Sequence, residues 1–137
     1  MNRAVIGIGS NIRPEDNIDE AILRMSRAHR ILKKSRFVAT PPIGSREQPD
    51  FVNGAILIET SMERDALKTW LRNVEAGLGR VRSEDKNAPR TIDLDIVVWS
   101  GEIVDEDVYA RDFLRRAVQE VCPGLKLEGG ARCGKNS

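Results

Sequence analysis

The amino-acid sequence predicts an α+β domain, an antiparallel sheet with helices packed on one face of it. Three observations carry this. Short apolar runs bounded by turn residues recur at residues 4–8, 36–40, 51–60 and 92–99. Two segments between them place apolar residues at helical spacing instead. The order is β-α-β-β-α-β, the ferredoxin-like arrangement.

Each element has a local reason. Residues 4–8 form an apolar run that ends in Gly9-Ser10-Asn11, a strand followed by a turn. From about Asp16, the residues Ile18, Ala21, Ile22, Met25, Ala28 and Leu32 share one helical stripe. His29 lies beside that stripe between basic residues and reads as a surface histidine. A short second strand spans residues 36–40. It must leave as an irregular loop at Thr40-Pro41-Pro42-Ile43-Gly44, because paired prolines remove backbone donors. The third strand, residues 51–60, puts Phe51, Asn53 and Ala55 on one face and Val52, Gly54 and Ile56 on the other. Thr60-Ser61-Met62-Glu63 matches a capping box. It opens a helix with the stripe Leu67, Trp70, Leu71, Val74 and Leu78, stopped by Gly79. A charged loop, 80–88, is expected to be mobile. The fourth strand covers residues 92–99, and residues 111–121 predict a further helical segment.

With 137 residues the chain can bury a core of its own, and 40% hydrophobic with 31% charged residues is an ordinary soluble balance. Residues 1–123 read as one domain and 124–137 as a flexible tail; no internal repeat is present. A net charge of +1 provides no global field for nucleic acid or a membrane surface. The two cysteines lack Cys-x-x-Cys spacing and there is one histidine, so a thiolate–imidazole metal site and a disulfide framework both fit poorly. The first apolar run is too short for a signal peptide, and no stretch approaches membrane-spanning length. A reduced, cytoplasmic monomer is the expectation.

The chemistry concentrates in Arg90-Thr91-Ile92-Asp93-Leu94-Asp95-Ile96. Aspartate is depleted in strands, yet two fall in this one. At two-residue spacing both carboxylates point to the same face, with Cα atoms roughly 6.6 Å apart. They repel unless a cation lies between them, and Mg²⁺ suits a site of one or two carboxylates completed by water and phosphate. An edge strand with two solvated acids would look the same. Arg80, Arg82, Lys86 and Arg90 precede the pair, as a Mg²⁺-polyphosphate would require. A solvated loop paired with Glu84 and Asp85 is the alternative. Phe51 and Asn53 share a face beside the proline loop, where a flat heterocycle could stack and be read by the carboxamide. Equally, Phe51 could be core and Asn53 a turn residue. Gly7-Ile8-Gly9-Ser10 lacks the Lys-Ser/Thr ending of a phosphate-binding loop and is assigned to a tight turn.

Three segments together resemble the 6-hydroxymethyl-7,8-dihydropterin pyrophosphokinase family: Gly9-Ser10-Asn11; Thr40-Pro41-Pro42 through Gln48-Pro49-Asp50-Phe51-Val52-Asn53; and Leu78-Gly79-Arg80-Val81-Arg82 through Pro89-Arg90-Thr91-Ile92-Asp93-Leu94-Asp95. The match runs from the N-terminus to about Trp99, and its combination of motifs is highly specific. The resemblance implies transfer of the β,γ-pyrophosphoryl unit of ATP to the pterin hydroxymethyl group, leaving AMP, in folate biosynthesis. It implies that Asp93 and Asp95 hold two Mg²⁺ ions and that Asp95, Arg80, Arg82 and Arg90 are catalytic. ATP would be bound by Glu75, Arg80, Arg82, Arg90, Ile96 and Arg111. The pterin would be bound by Thr40, Pro41, Pro42, Ile43, Phe51, Asn53 and Phe113, with Phe113 as the second stacking ring.

The chain also departs from the family. Asn87 stands where a tryptophan is common, the stretch between the fourth strand and Phe113 is short and lacks a histidine, and little follows Pro123. These departures imply weaker ATP affinity with the metal pair and pterin pocket intact. A catalytically impaired pterin-binding homologue is the first alternative. The second is an interaction module contacting RNA through its arginine loop, although three Phe, two Trp and one Tyr make a poor stacking platform.

Overall fold

The computed structural model of the chain describes residues 1–41, 49–80 and 91–125. In chain order the elements are β1 (Asn2–Ser10), α1 (Pro14–Ala28), β2 (Arg30–Lys34), β3 (Val38–Thr40), β4 (Phe51–Thr60), α2 (Arg64–Gly77), β5 (Asp93–Trp99), β6 (Glu102–Ile103), α3 (Asp107–Ala110) and α4 (Asp112–Val121). The sheet runs β2-β4-β1-β5-β6, with β3 also on β4, and every pairing is antiparallel. β2 and β3 are two halves of one interrupted strand. Ser35 bridges the break, its amide donating to Ala55 O at 2.9 Å and its hydroxyl accepting from the Ala55 amide at 2.9 Å. The predicted β-α-β-β-α-β order is therefore present, extended by β6, α3 and α4.

Alternation along the strands divides the core in two. Ala4, Ile6 and Ile8 of β1, Ile56 and Ile58 of β4, and Leu94 of β5 pack under α1 and α2 with Ile18, Met25, Leu67 and Leu71. Val5, Ala55, Val97 and Val98 pack on the opposite face with Val108, Ala117, Val118 and Val121. Each fully buried Val, Leu, Ile or Met side chain contributes about 1.5–3 kcal/mol. Val97 and Val98 are adjacent yet share this second core, because the β1–β5 register shifts between Val5 and Ile6.

Four local expectations are corrected. Helices cover both faces rather than one, since α3 and α4 close the second. The first helix ends at Ala28, and Arg30–Lys34 is a strand. Ala28 and Leu32 fit a helical stripe, but Ile31 pairs with Ile58 of β4, and a short apolar run cannot distinguish the two periods. No capping box forms, because Thr60 closes β4 and Glu63 is the N-cap of α2. His29 is 7% exposed, not on the surface. Its Nδ1 lies 2.9 Å from Thr60 Oγ1 and its ring meets Trp70 edge-on at 4.5 Å. The predicted mobile loop lies outside the described residues from Val81 onward, as does the tail beyond Leu125.

Candidate active site

α4 covers only part of the second sheet face. Beyond it the face opens into a cleft of about 150 Å³, floored by Gly7 and Gly9 of β1, Asn53 of β4, and Asp93 and Asp95 of β5. Thr40, Pro41 and Phe51 line one side. Asp105, Asp107, Arg111, Phe113 and Leu114, from α3, the start of α4 and the chain before them, complete the lining. The cleft brings together three pairs that lie far apart in the sequence: Phe51 with Asn53, Asp93 with Asp95, and Arg111 with Phe113.

The turn after β1 holds these segments in place. The hydroxyl of the fully buried Ser10 donates to Thr91 O at 2.6 Å, just before β5. The Asn11 side chain donates to Pro49 O at 3.3 Å, just before β4. Gly9, opposite Asn53 in the β1–β4 ladder, leaves room for the carboxamide. Asn53 Nδ2 donates to Thr40 Oγ1 at 2.6 Å, which sets the amide's orientation across the floor.

β5 carries the acids on an edge that β6 covers only at Val98 and Trp99. Side chains of α2 and the turn after it reach the open edge at Ile92 and Leu94. Glu75, 2% exposed, accepts from the Leu94 amide at 2.8 Å, from Arg72 Nη1 at 2.8 Å and from Arg80 Nη1 at 3.0 Å. Arg72 also donates to Leu94 O at 2.9 Å and to Asp95 Oδ1 at 3.2 Å. Arg80 donates to Ile92 O at 3.1 Å and to Asp93 Oδ1 at 2.9 Å. Gly79, at φ 94°, turns the chain so that Arg80 returns beneath Glu75. The network thus satisfies the Leu94 amide and the Leu94 and Ile92 carbonyls on the open edge and braces both aspartates.

The electrostatics favour a cation at the acid pair. Burial, reinforced by the charge of Asp93 and only partly offset by Arg72, pushes the Asp95 carboxyl up to about 7. Burial also raises Asp105, against the hydrogen bond it accepts from the Asp107 amide at 3.0 Å. Among the described residues no group of three or more His, Cys, Asp or Glu side chains converges as a metal cage. Two carboxylates facing one cleft nevertheless fit Mg²⁺, which normally takes most of its ligands from water and phosphate.

The other predicted site residues fall in three places. Arg80 is 11% exposed on its side chain and turned into the Glu75 network, outside the cleft lining. Glu75 is beneath the strand edge rather than in the cleft. Ile96 packs against the α1/α2 core, on the face opposite the acids. Pro42, Ile43, Arg82 and Arg90 lie outside the described residues. Sequence reasoning missed Arg72, Asp105 and Asp107. For Arg72 the sequence shows only that it shares a helix face with Glu75 one turn later, which does not say what either reaches; for the two aspartates the same alternate spacing as Asp93 and Asp95 was available.

A split β-α-β sheet with a strand-borne acid pair, aromatic groups and an arginine around one cleft marks the class: a small α+β enzyme domain built for a charged, flat-ringed substrate. The family described as 7,8-dihydro-6-hydroxymethylpterin-pyrophosphokinase matches residues 5–123. The chain belongs to that family. It is similar to the 2-amino-4-hydroxy-6-hydroxymethyldihydropteridine pyrophosphokinase of Methylorubrum extorquens, at 32% identity over 94% of this chain and 88% of that protein. The proteins of that name from Haemophilus influenzae and Bacillus subtilis are 32% and 31% identical, each over 93% of this chain and over 86% and 82% of their own lengths.

Proposed function

We propose that this protein transfers pyrophosphate from ATP to the hydroxymethyl oxygen of 6-hydroxymethyl-7,8-dihydropterin, a step of folate biosynthesis. The supporting observation is the shared cleft: Asp93 and Asp95 on its floor, Asn53 beside them, and Phe51, Phe113 and Arg111 in its lining. A new bond joins the hydroxymethyl oxygen to Pβ of ATP. The bond from Pβ to the oxygen bridging Pα breaks, AMP leaves with that oxygen, and the hydroxyl proton is released.

Phe51 and Phe113 would contact the ring system, with Asn53 reading its polar edge and Thr40 fixing the amide. Pro41, with Pro42 and Ile43 beyond it, would complete the pterin pocket. Arg111, with Arg82 and Arg90, would hold phosphate oxygens, where guanidinium forks suit the geometry. Arg80 and Glu75 would act mainly by holding Asp93 and Asp95, with Ile96 behind them. Asp93 and Asp95 would hold Mg²⁺, which when bound neutralises phosphate charge as it develops. Positioning and charge stabilisation supply most of the rate in such transfers. The same reading takes the protein as a cytoplasmic monomer acting on small molecules without a nucleic-acid partner. Among the described residues no helix is long and apolar enough to cross a membrane.

A pterin-binding homologue with impaired turnover draws on a different observation. Asp105 and Asp107 line the cleft on the side of Arg111, and Asp107 Oδ2 lies 3.7 Å from Arg111 Nε. Their charge opposes a polyphosphate there. Turnover with ATP, Mg²⁺ and the pterin separates the two readings. Mg²⁺-dependent appearance of AMP and pterin pyrophosphate supports the enzyme. Pterin binding without AMP would favour the homologue.

A further inference from the structure

We propose, on the reading of Asp93 and Asp95 as metal ligands given above, that Arg72 is a positioning residue that fixes the Asp95 carboxylate for the metal through a three-point guanidinium anchor. Arg72 does not line the cleft, so it reaches the reaction only through Asp95. Its Nη1 is held by two protein acceptors, Glu75 Oε2 at 2.8 Å and Leu94 O at 2.9 Å. Its Nη2 is thereby aimed at Asp95 Oδ1, 3.2 Å away.

The anchor is closed on itself. Leu94 donates its amide to the same Glu75 oxygen and accepts from Arg72 through its carbonyl. Asp95 is the next residue along β5. The backbone preceding Asp95 and the carboxylate of Asp95 are thus set by one guanidinium. A planar fork suits this arrangement, because the acceptors are spread over two nitrogens, Nη1 and Nη2, whereas an ammonium gathers its three donors on one. Glu75 links this arrangement to its counterpart, since the same Oε2 also accepts from Arg80, which holds Asp93. The spacing of the two carboxylates therefore depends on one buried oxygen and two arginines. The resemblance to the family accounts for Glu75 and Arg80 near the nucleotide but assigns nothing to Arg72.

The test uses the full chain, Mn²⁺ as a paramagnetic probe, and the α,β-methylene analogue of ATP to prevent turnover. Mn²⁺ affinity is measured by electron paramagnetic resonance for the unsubstituted protein, Arg72→Gln, Arg72→Lys and Asp95→Asn. Arg72→Gln is expected to bind Mn²⁺ roughly tenfold more weakly, as for partners that orient metal ligands. Its kcat should fall with unchanged pterin KM, and Arg72→Lys should restore neither kcat nor Mn²⁺ affinity. Arg72 is 31% exposed on its side chain, so folded variants are expected, with circular dichroism as the check. Should the Gln variant unfold, Arg72→Met keeps the aliphatic stem and is titrated in the same way. Unaltered Mn²⁺ affinity in the Gln or Met variant, or full rescue by Lys, overturns the assignment. Asp95→Asn separates its failure from that of the underlying reading: Mn²⁺ binding that survives this substitution removes the metal reading, whereas loss in Asp95→Asn but not in Arg72→Gln removes only the role of Arg72.

Discussion

The carboxamide of Asn53 lies so close over Gly9 that a Cβ at residue 9 would meet Asn53 Oδ1 at 2.6 Å. The two residues are direct cross-strand partners on the floor of the cleft. Asn53 cannot simply step aside, because its Nδ2 is bound to Thr40 Oγ1. Gly9→Ala is therefore expected to turn the amide away and weaken pterin binding about tenfold or more, the effect of losing one well-placed hydrogen bond with its partner left unpaired. Pterin fluorescence titration measures this. Affinity equal to that of the unsubstituted protein would show that Asn53 does not read the ring.

Asp95→Ala removes one of two carboxylates that repel each other across the cleft floor. Turnover is expected to fall by roughly a hundredfold or more, the scale of losing a principal electrostatic contributor. The fold should survive, since relief of repulsion with Asp93 offsets the loss of the Arg72 contact. Steady-state AMP release, with a thermal melt as control, reports both. Undiminished turnover would rule out Asp95 as a metal ligand.

Glu75→Ala leaves two guanidiniums and the Leu94 amide without their common acceptor. Removing one partner of a buried charged cluster costs about 3–5 kcal/mol. Urea denaturation should show a loss of that order, far larger than for a surface pair such as Arg13 with Asp16. A loss under about 1 kcal/mol would mean that the arginines find water or other acceptors without penalty.

His29 provides the pH dependence. Burial lowers its pKa from the ordinary 6.5. Between that folded value and 6.5 the unfolded chain binds more protons, so stability rises with pH across the window and is lost as pH falls below about 6.5. Nδ1 lies 2.9 Å from Thr60 Oγ1, a hydroxyl that can donate to it or accept from it. Nε2 is buried with no hydrogen-bond partner among the described residues, so the doubly protonated ring would carry a donor there without an acceptor. Denaturation midpoints between pH 5 and 8 should show a slope that His29→Gln flattens. An unchanged slope in the variant would assign the dependence to other groups.

The sequence by itself determined the β-α-β-β-α-β succession along the chain, the shared face of Asp93 and Asp95, and the shared face of Phe51 and Asn53. Those follow from the apolar periodicity within single elements, which is local. It also contained the three motif segments that define the family. Local pattern misassigned His29 and residues 30–32, because a basic stretch with scattered apolar residues fits a helix end and an edge strand equally well. Only the tertiary structure decided that Ser10 and Asn11 tie β1 to the segments before β5 and β4, that Phe113 and Arg111 reach the same cleft as Asp95, and that Arg80 turns under the strand. Tertiary packing alone also gave Arg72 its place. A strand edge left open by a short β6 needs donors and acceptors from elsewhere, and which side chains supply them depends on where α2 docks, a long-range outcome that no spacing in the chain encodes.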